Sequence, residues 1–507
     1  MRMVKSLLLG SAAGVVAVAG AQAADLPVKA KPVEYVRVCS LYGAGFWYVP
    51  GTDTCLKIGS YIREQVEWNA GNGGTPIGLG TGGDVGAGRF DRTDTSQLSM
   101  RTRAGLSVDL RTQTEYGTLR SYFEGGFQAS ANNGSAPSND VVYFDRGFIQ
   151  FAGLTAGRIR SYFDINSMAP YSYLNTRVSG DTGALGLWGI AYTAQFGNGF
   201  SATLSFEDGG SSSQGNSQGQ SSSRGHLVNN MSMASQWGLG TESFDNEGWK
   251  FPDVVGSLRV DQAWGYAQIA AAVHDASAGY YQTGGTTLTT GIQGNGHPGD
   301  AHGWAVTGGF TLNDVLGMKG DQFGMQAVYT VGAAGYATRA LGAWEVYGAG
   351  NNVGVGWVSD GIFTTGSGIE LTSVWGVNGF YQHFWNPKWR TSIHGGYEEV
   401  DYGGTATSMI CGAGGAGGAV AAPAGVALTG VSNCSPNFSW WELGSRTQWN
   451  PHPDLDIGVD VVWDHLNTAF SGTAFLAANG ARPGGVYTVS DQDVLEVYFR
   501  IQRNFLP

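Results

Sequence analysis

Residues 455–466 read LDIGVDVVWDHL. Leu455, Ile457, Val459, Val461 and Trp463 occupy every second position, and Asp456, Asp460 and Asp464 stand between them. Side chains on a strand alternate faces, so the segment carries hydrocarbon on one surface and carboxylate on the other. The design recurs in LKIGSYIREQVEW at 56–68, where Leu56, Ile58, Ile62, Val66 and Trp68 oppose Lys57, Tyr61, Arg63, Gln65 and Glu67. LSMRTRAGLSVDL at 98–110 sets Leu98, Met100, Ala104, Leu106, Val108 and Leu110 against Arg101, Arg103, Ser107 and Asp109. Near the end of the chain, Leu495, Val497, Phe499, Ile501 and Phe505 oppose Glu496, Tyr498, Arg500 and Gln502.

This periodicity predicts about sixteen strands: 56–68, 97–110, 117–128, 141–152, 154–162, 184–196, 199–207, 253–262, 264–275, 302–313, 322–331, 370–384, 388–402, 437–450, 454–466 and 491–505. Their connections alternate in length. Short ones read as tight turns, such as FAGL at 151–154, GNG at 197–199, WNPK at 385–388 and NPHPD at 450–454. Long ones, at 69–96, within 208–252, and at 276–301, 332–369, 403–436 and 467–490, read as polar or Gly-rich loops.

An open sheet of this size leaves two edges and a broad apolar face uncovered. Closure removes the edges, and lipid around the closed sheet covers the apolar face, so the expected fold is all-β: a transmembrane antiparallel β-barrel. Asp456, Asp460 and Asp464 then face a wet interior. Trp68, Trp385, Trp389, Trp441 and Trp449 fall near strand ends, at headgroup depth.

Composition agrees. Among 507 residues there are 82 glycines, 12% aromatic residues and 13% charged ones, well under the usual charged share of about 25%. The opening MRMVKSLLLGSAAGVVAVAGAQA has the parts of an export signal: Arg2 and Lys5, an apolar middle, and Ala21-Gln22-Ala23. The expected organisation is a signal peptide at 1–23, a periplasmic N-terminal segment with a hairpin leading into the barrel at 24–55, and the barrel at 56–507. No later run of 18 or more strongly apolar residues offers a helical span. CGAGGAGGAVAAPAGVALTGV at 411–431 reads as a loop on its Gly content and Pro423. Without its signal the chain is two charges more negative than the full chain's −12, which excludes a phosphate-tracking nucleic-acid binder as a first reading.

Four cysteines in an exported chain imply two disulfides. Cys39 with Cys55 and Cys411 with Cys434 are the local pairings, and the sequence leaves the two other connectivities open. Each such closure contributes about 2 to 4 kcal/mol. No CxxC or clustered His accompanies them, so metal binding is not expected.

VEYVRVCSLYGAGFWYVPGTDTCLKIGSYIR at 33–63, DRGFIQFAGLTAGRIRSYFD at 145–164 and the near-terminal YFRIQRNF resemble the alphaproteobacterial porin family. The resemblance covers essentially the whole mature chain and implies a trimeric outer-membrane diffusion channel. It further implies that the third long loop, INSMAPYSYLNTRVSGDTG at 165–183, folds into the lumen and narrows it. Such porins end on an aromatic residue; here Leu506 and Pro507 follow Phe505, which predicts less efficient insertion.

At the narrowing, Asp164 and Asp181 flank the loop and bring negative charge into the bore. Strand parity places Arg63, Arg101, Arg103, Arg120, Arg158 and Arg160 inward on the first five strands. Opposed charge in a low-dielectric constriction orders water and favours small hydrophilic solutes over apolar ones. Net acidity favours cations and the arginines favour anions, so the sequence assigns no selectivity. Asp456, Asp460 and Asp464 read as general lumen lining.

Enzyme motifs are weak. GNSQG at 215–219 fits GxSxG within a Gly/Ser tract, and GAGGAG at 412–417 fits GxGxxG without a strand before it or a helix after it. The expected function is passive diffusion of small hydrophilic solutes and ions, with no cofactor and no nucleic-acid partner, in contact with outer-membrane lipid and as a homotrimer. A solute-specific channel is the alternative. An outer-membrane barrel enzyme would need a polar catalytic set on the apolar wall, and a secreted soluble β-protein would need a regular repeat; the sequence offers neither.

Overall fold

The computed structural model describes residues 37–68, 98–131, 141–173, 186–209, 226–232, 246–248, 250–281, 293–338, 341–348, 350–412, 426–427, 430, 432–476 and 484–506. Sixteen strands build the wall: β1 Thr54–Trp68, β2 Leu98–Thr114, β3 Gly117–Ala131, β4 Val141–Phe151, β5 Leu154–Ile159, β6 Leu187–Gly197, β7 Phe200–Glu207, β8 Asp253–Gln262, β9 Gly265–Asp275, β10 His302–Asn313, β11 Gln322–Val331, β12 Ser373–Asn386, β13 Trp389–Asp401, β14 Phe438–His452, β15 Leu455–Asn467 and β16 Gln492–Leu506. Each pairs antiparallel with the next. β16 returns to β1 with Gln502 opposite Arg63 and Val497 opposite Trp68, so the sheet closes without an edge.

Closure divides the side chains as the alternation requires. On β15, Val459, Val461 and Trp463 are 40–46% exposed, whereas Asp460, Val462, Asp464 and Leu466 are fully buried. The apolar parity therefore faces outward. The acidic parity does face inward, but Asp460 lies beneath Ser172 and Tyr173 and Asp464 is buried, so neither meets open water, a correction to the simplest reading of the periodicity. Aromatic pairs mark both rims: Trp389 stacks on Trp449 at 5.8 Å, and Trp441 meets Trp463 edge-on at 5.0 Å. Glu64 interrupts the outward apolar wall, accepting a hydrogen bond from the Thr102 hydroxyl at 2.5 Å.

The short connections are two-residue hairpins where the sequence allows them. Ala152–Gly153 (φ 49° and 88°) and Asn198–Gly199 (φ 48° and 77°) take the left-handed conformation at both positions, which suits the twist of the flanking strands.

Several long connections are not merely polar loops. Gly342–Gly348 and Asn352–Val358 form a hairpin, joined by Gly485–Val489, Gly472–Leu476 and Val426–Ala427 into a second, five-stranded sheet. Its apolar side packs Trp344 and Trp357 into a core with Phe438, Trp440 and Leu466, whose parity is inward. Gly356 makes that contact possible, since a Cβ there would fall 2.6 Å from the Phe438 ring. Residues 404–412 also depart from the expected loop: they form a helix, α1 Gly404–Gly412.

Both disulfides join the local pairs, Cys39–Cys55 and Cys411–Cys434, each with Cα atoms 6.0 Å apart. The first holds a hairpin in which Trp47 and Tyr48 pair with Leu56 and Cys55. Phe46 of this hairpin packs under the guanidinium of Arg111, 4.9 Å from its ring centroid.

Candidate functional site

β5 is only six residues long, and the chain leaves the wall after Ile159 to cross the lumen. Glu207 of β7 fixes the departure: its carboxylate accepts the Ser161 hydroxyl at 2.6 Å and the Tyr162 N–H at 2.9 Å. Asn166 then reaches the inner face of the β9–β11 wall. Its side-chain oxygen accepts from the Thr311 and Tyr266 hydroxyls at 2.8 and 3.0 Å, and its amide donates to the Met325 carbonyl at 3.1 Å. Further along, the Tyr171 ring stacks on Phe380 of β12 with centroids 3.5 Å apart.

The far end of the described loop is held by Asp460. Its Oδ2 accepts both the Ser172 hydroxyl and the Tyr173 N–H at 2.6 Å, and its Oδ1 lies 3.0 Å from His394 Nε2. Arg446 donates to the Pro170 carbonyl, and Arg500 donates to the Tyr173 carbonyl at 3.2 Å while lying 4.0 Å above the Tyr173 ring. The third loop thus runs from β5 across the bore to β14–β16. Its charged anchors come from β14–β16, which adjoin the arginine-rich first strands through the β16–β1 pairing; Arg500 also donates to Gln65 of β1 at 2.6 Å.

Each residue singled out in the sequence has a definite place. Arg63, Arg101, Arg103 and Arg120 share the inward parity of β1–β3, on the same face as Tyr61, Gln65 and Tyr122. Arg101 is buried and faces Glu67 at 3.4 Å. Arg120 and Arg111 grip the two oxygens of Asp109 together, at 2.7 to 3.0 Å. Arg160 belongs to the loop, donating to the Asn166 carbonyl at 2.7 Å and facing Asp164 at 3.7 Å. Asp164 is itself buried, so its charge is turned toward Arg160 and away from open lumen. Asp181 lies outside the described residues.

Arg158 departs from the expected inward row. It pairs across the ladder with Trp188, which is 55% exposed on the outer wall, and Thr155 rather than Arg158 carries the inward parity of β5. Its guanidinium is buried and donates to the Asp145 carbonyl at 3.2 Å. Leu154, exposed on the outer wall, and Arg158 share one parity along an unbroken ladder, so alternation within β5 itself sets Arg158 on the outward side.

Other contributors were passed over. Arg111 was missed because β2 extends to Thr114, beyond the expected end of the strand. Alternation alone sets Asp460 among the general lumen lining, and only the fold brings it to Ser172 and Tyr173. Among the described residues no group of three or more metal-binding side chains is gathered, and no helix is long and apolar enough to cross a membrane. GNSQG at 215–219 lies outside the described residues.

A closed sixteen-stranded barrel with an apolar outer wall, aromatic rims and an inward-folded loop defines an outer-membrane barrel of the porin type. The family model described as a porin subfamily matches residues 25–498, and the chain belongs to that family. Porin Omp2b of Brucella suis is 35% identical over 268 residues, 52% of this chain and 64% of that protein. Porin Omp2b of Brucella abortus (strain 2308) is 35% identical over 274 residues, 52% of this chain and 63% of that protein. The matched region spans a little under two thirds of those relatives. The outer membrane channel DcaP of Acinetobacter baumannii shares the fold, with a TM-score of 0.55 at 14% identity over 90% of this chain and 99% of that one.

Proposed function

We propose that the chain forms a water-filled path through the outer membrane for passive diffusion of small hydrophilic solutes and ions, without bond-making chemistry and without a cofactor. The observation that carries this reading is the third loop held inside the lumen by Asp460 of β15, beside the inward guanidinium groups of β1–β3. In this reading Arg63, Arg101, Arg103 and Arg120 line one side of the narrowest section, with the loop and Asp181 along the other, while Asp164 is turned to Arg160. A transverse field of this kind favours polar solutes that can reorient in it. Residues 1–23 serve as the export signal, and 24–55 as a periplasmic segment whose hairpin leads into the barrel.

The working unit in this proposal is a homotrimer in outer-membrane lipid. Glu64 supports it: a carboxylate on the outward wall is costly against hydrocarbon, so the β1–β2 surface is better covered by protein. Single-channel recording in planar bilayers tests the reading. Stepwise ohmic conductance with three coupled levels is the expected result. A protein that inserts yet passes no current, or one that hydrolyses lipid, sinks it.

A further inference from the structure

We infer that the inner wall of β1–β4 holds a binding site for a small monocarboxylate whose ring bears a hydroxyl group. This deepens the diffusion-channel reading and rests on it. Arg63 and Arg103 are direct cross-strand partners with both side chains inward, an arrangement in which like charges repel. Among the described residues neither forms an ion pair. Arg63 Nε donates to Gln502 Oε1 at 2.7 Å, and Arg103 donates from Nε and Nη2 to Gln128 Oε1 at 2.9 and 2.6 Å, all neutral acceptors. Each guanidinium lies over a tyrosine ring, Arg63 over Tyr61 at 4.9 Å and Arg103 over Tyr143 at 4.4 Å. Two cations fixed side by side with N–H groups to spare form a fork suited to a carboxylate.

Directly below them the wall is hollowed. A recess of about 220 Å³ is lined by Gly59, Gly105, Tyr61, Tyr143, Ser107 and Glu124. Gly105 is required by the geometry, since a Cβ there would fall 2.1 Å from the Tyr61 ring; without one, that ring lies flat along the wall. The Tyr61 and Tyr143 hydroxyls meet at 3.1 Å, which locks the two rings together. The space exceeds what an inorganic anion needs, and its ring and glycine surfaces suit a flat organic body. At the lower end Glu124 stands opposite Ser107. It disfavours a second anionic group there and accepts hydrogen bonds, as it already does from the Tyr122 hydroxyl at 3.1 Å. Four residues of strand separate the Arg103 and Ser107 levels, about 13 Å of rise, and Arg103 covers part of it by lying over the Tyr143 ring at the Gly105 level. Of the other acids on this stretch of wall, Asp109 is held by Arg111 and Arg120, and Asp145 is buried.

The test uses the full-length mature protein in planar bilayers, with 4-hydroxybenzoate as probe and 4-hydroxybenzamide as its uncharged isostere, at low KCl. Saturable block of the KCl current by 4-hydroxybenzoate, with block by the amide at least about tenfold weaker, is the expected result, as loss of charge-assisted hydrogen bonds implies. The Arg63→Gln/Arg103→Gln variant should weaken the block by a similar factor. Ser107→Leu, which fills the recess and leaves both arginines in place, should also weaken it and decides the matter if the double variant does not assemble. Equal block by acid and amide, undiminished block in Ser107→Leu, or a conducting wild-type channel that 4-hydroxybenzoate never blocks each overturns the site. Absence of any KCl conductance would instead overturn the channel reading.

Discussion

Replacing Asp460 with alanine removes the carboxylate that ties the third loop to the far wall. Three partners lose their acceptor at once: the Ser172 hydroxyl and Tyr173 N–H, each at 2.6 Å, and His394 Nε2 at 3.0 Å. A hydrogen bond to a charged group contributes about 1.5–3 kcal/mol. Because the three share one side chain they do not add fully, and loss of one member of a buried charged network costs about 3–5 kcal/mol. At about 1.4 kcal/mol per tenfold, the detached loop gains about two to three and a half orders of magnitude in population. The loss is local, because Asn166 remains bonded to β10 and β11 and Arg446 to the Pro170 carbonyl. The segment from Ser172 onward is therefore released while the barrel stays closed. Single-channel conductance should rise and flicker, and liposome swelling should extend to larger sugars, in a variant whose circular dichroism remains that of a β-barrel. Unchanged conductance, noise and size limit in such a variant would refute the anchoring role.

Three other outcomes follow from the same geometry. Neutralising Arg101 and Arg103 to glutamine should move the reversal potential in a KCl gradient toward cation preference; no movement would remove them from the ion path. Replacing Cys39 and Cys55 by serine opens a closure of 16 residues and should cost about 3 kcal/mol, seen as faster proteolysis within 37–53 and an intact barrel core. In the loop segment 226–232, burial and then the neighbouring His274 hold the His226 imidazole below its ordinary proton affinity, against the opposing pull of Asp360, Asp275 and Asp253. A depressed value means that the opened segment binds the proton more readily, so the folded arrangement is fully stable above about pH 6.5 and weakens as pH falls below it. Hydrogen exchange in 226–232 should increase on acidification relative to a His226→Gln variant, and equal profiles for the two would contradict this.

Strand positions were legible because lipid outside and a polar lumen inside impose a period of two on every spanning segment, whatever its neighbours. From residues 455–466 alone one reads which parity meets hydrocarbon, and repeated sixteen times this demands closure, since nothing in the chain covers an open sheet. The contents of the lumen were less legible. Asp460 looked like its neighbours Asp456 and Asp464 because its role depends on Ser172 and Tyr173, 288 and 287 residues away in sequence. The hairpin Gly342–Val358 alternates like a wall strand, but its partner is the inward apolar patch of Phe438, Trp440 and Leu466, which parity alone would have assigned to water. Sequence period reports the medium on each side of a strand. Which loop fills that side is set by contacts between distant segments, and only the closed barrel brings those segments together.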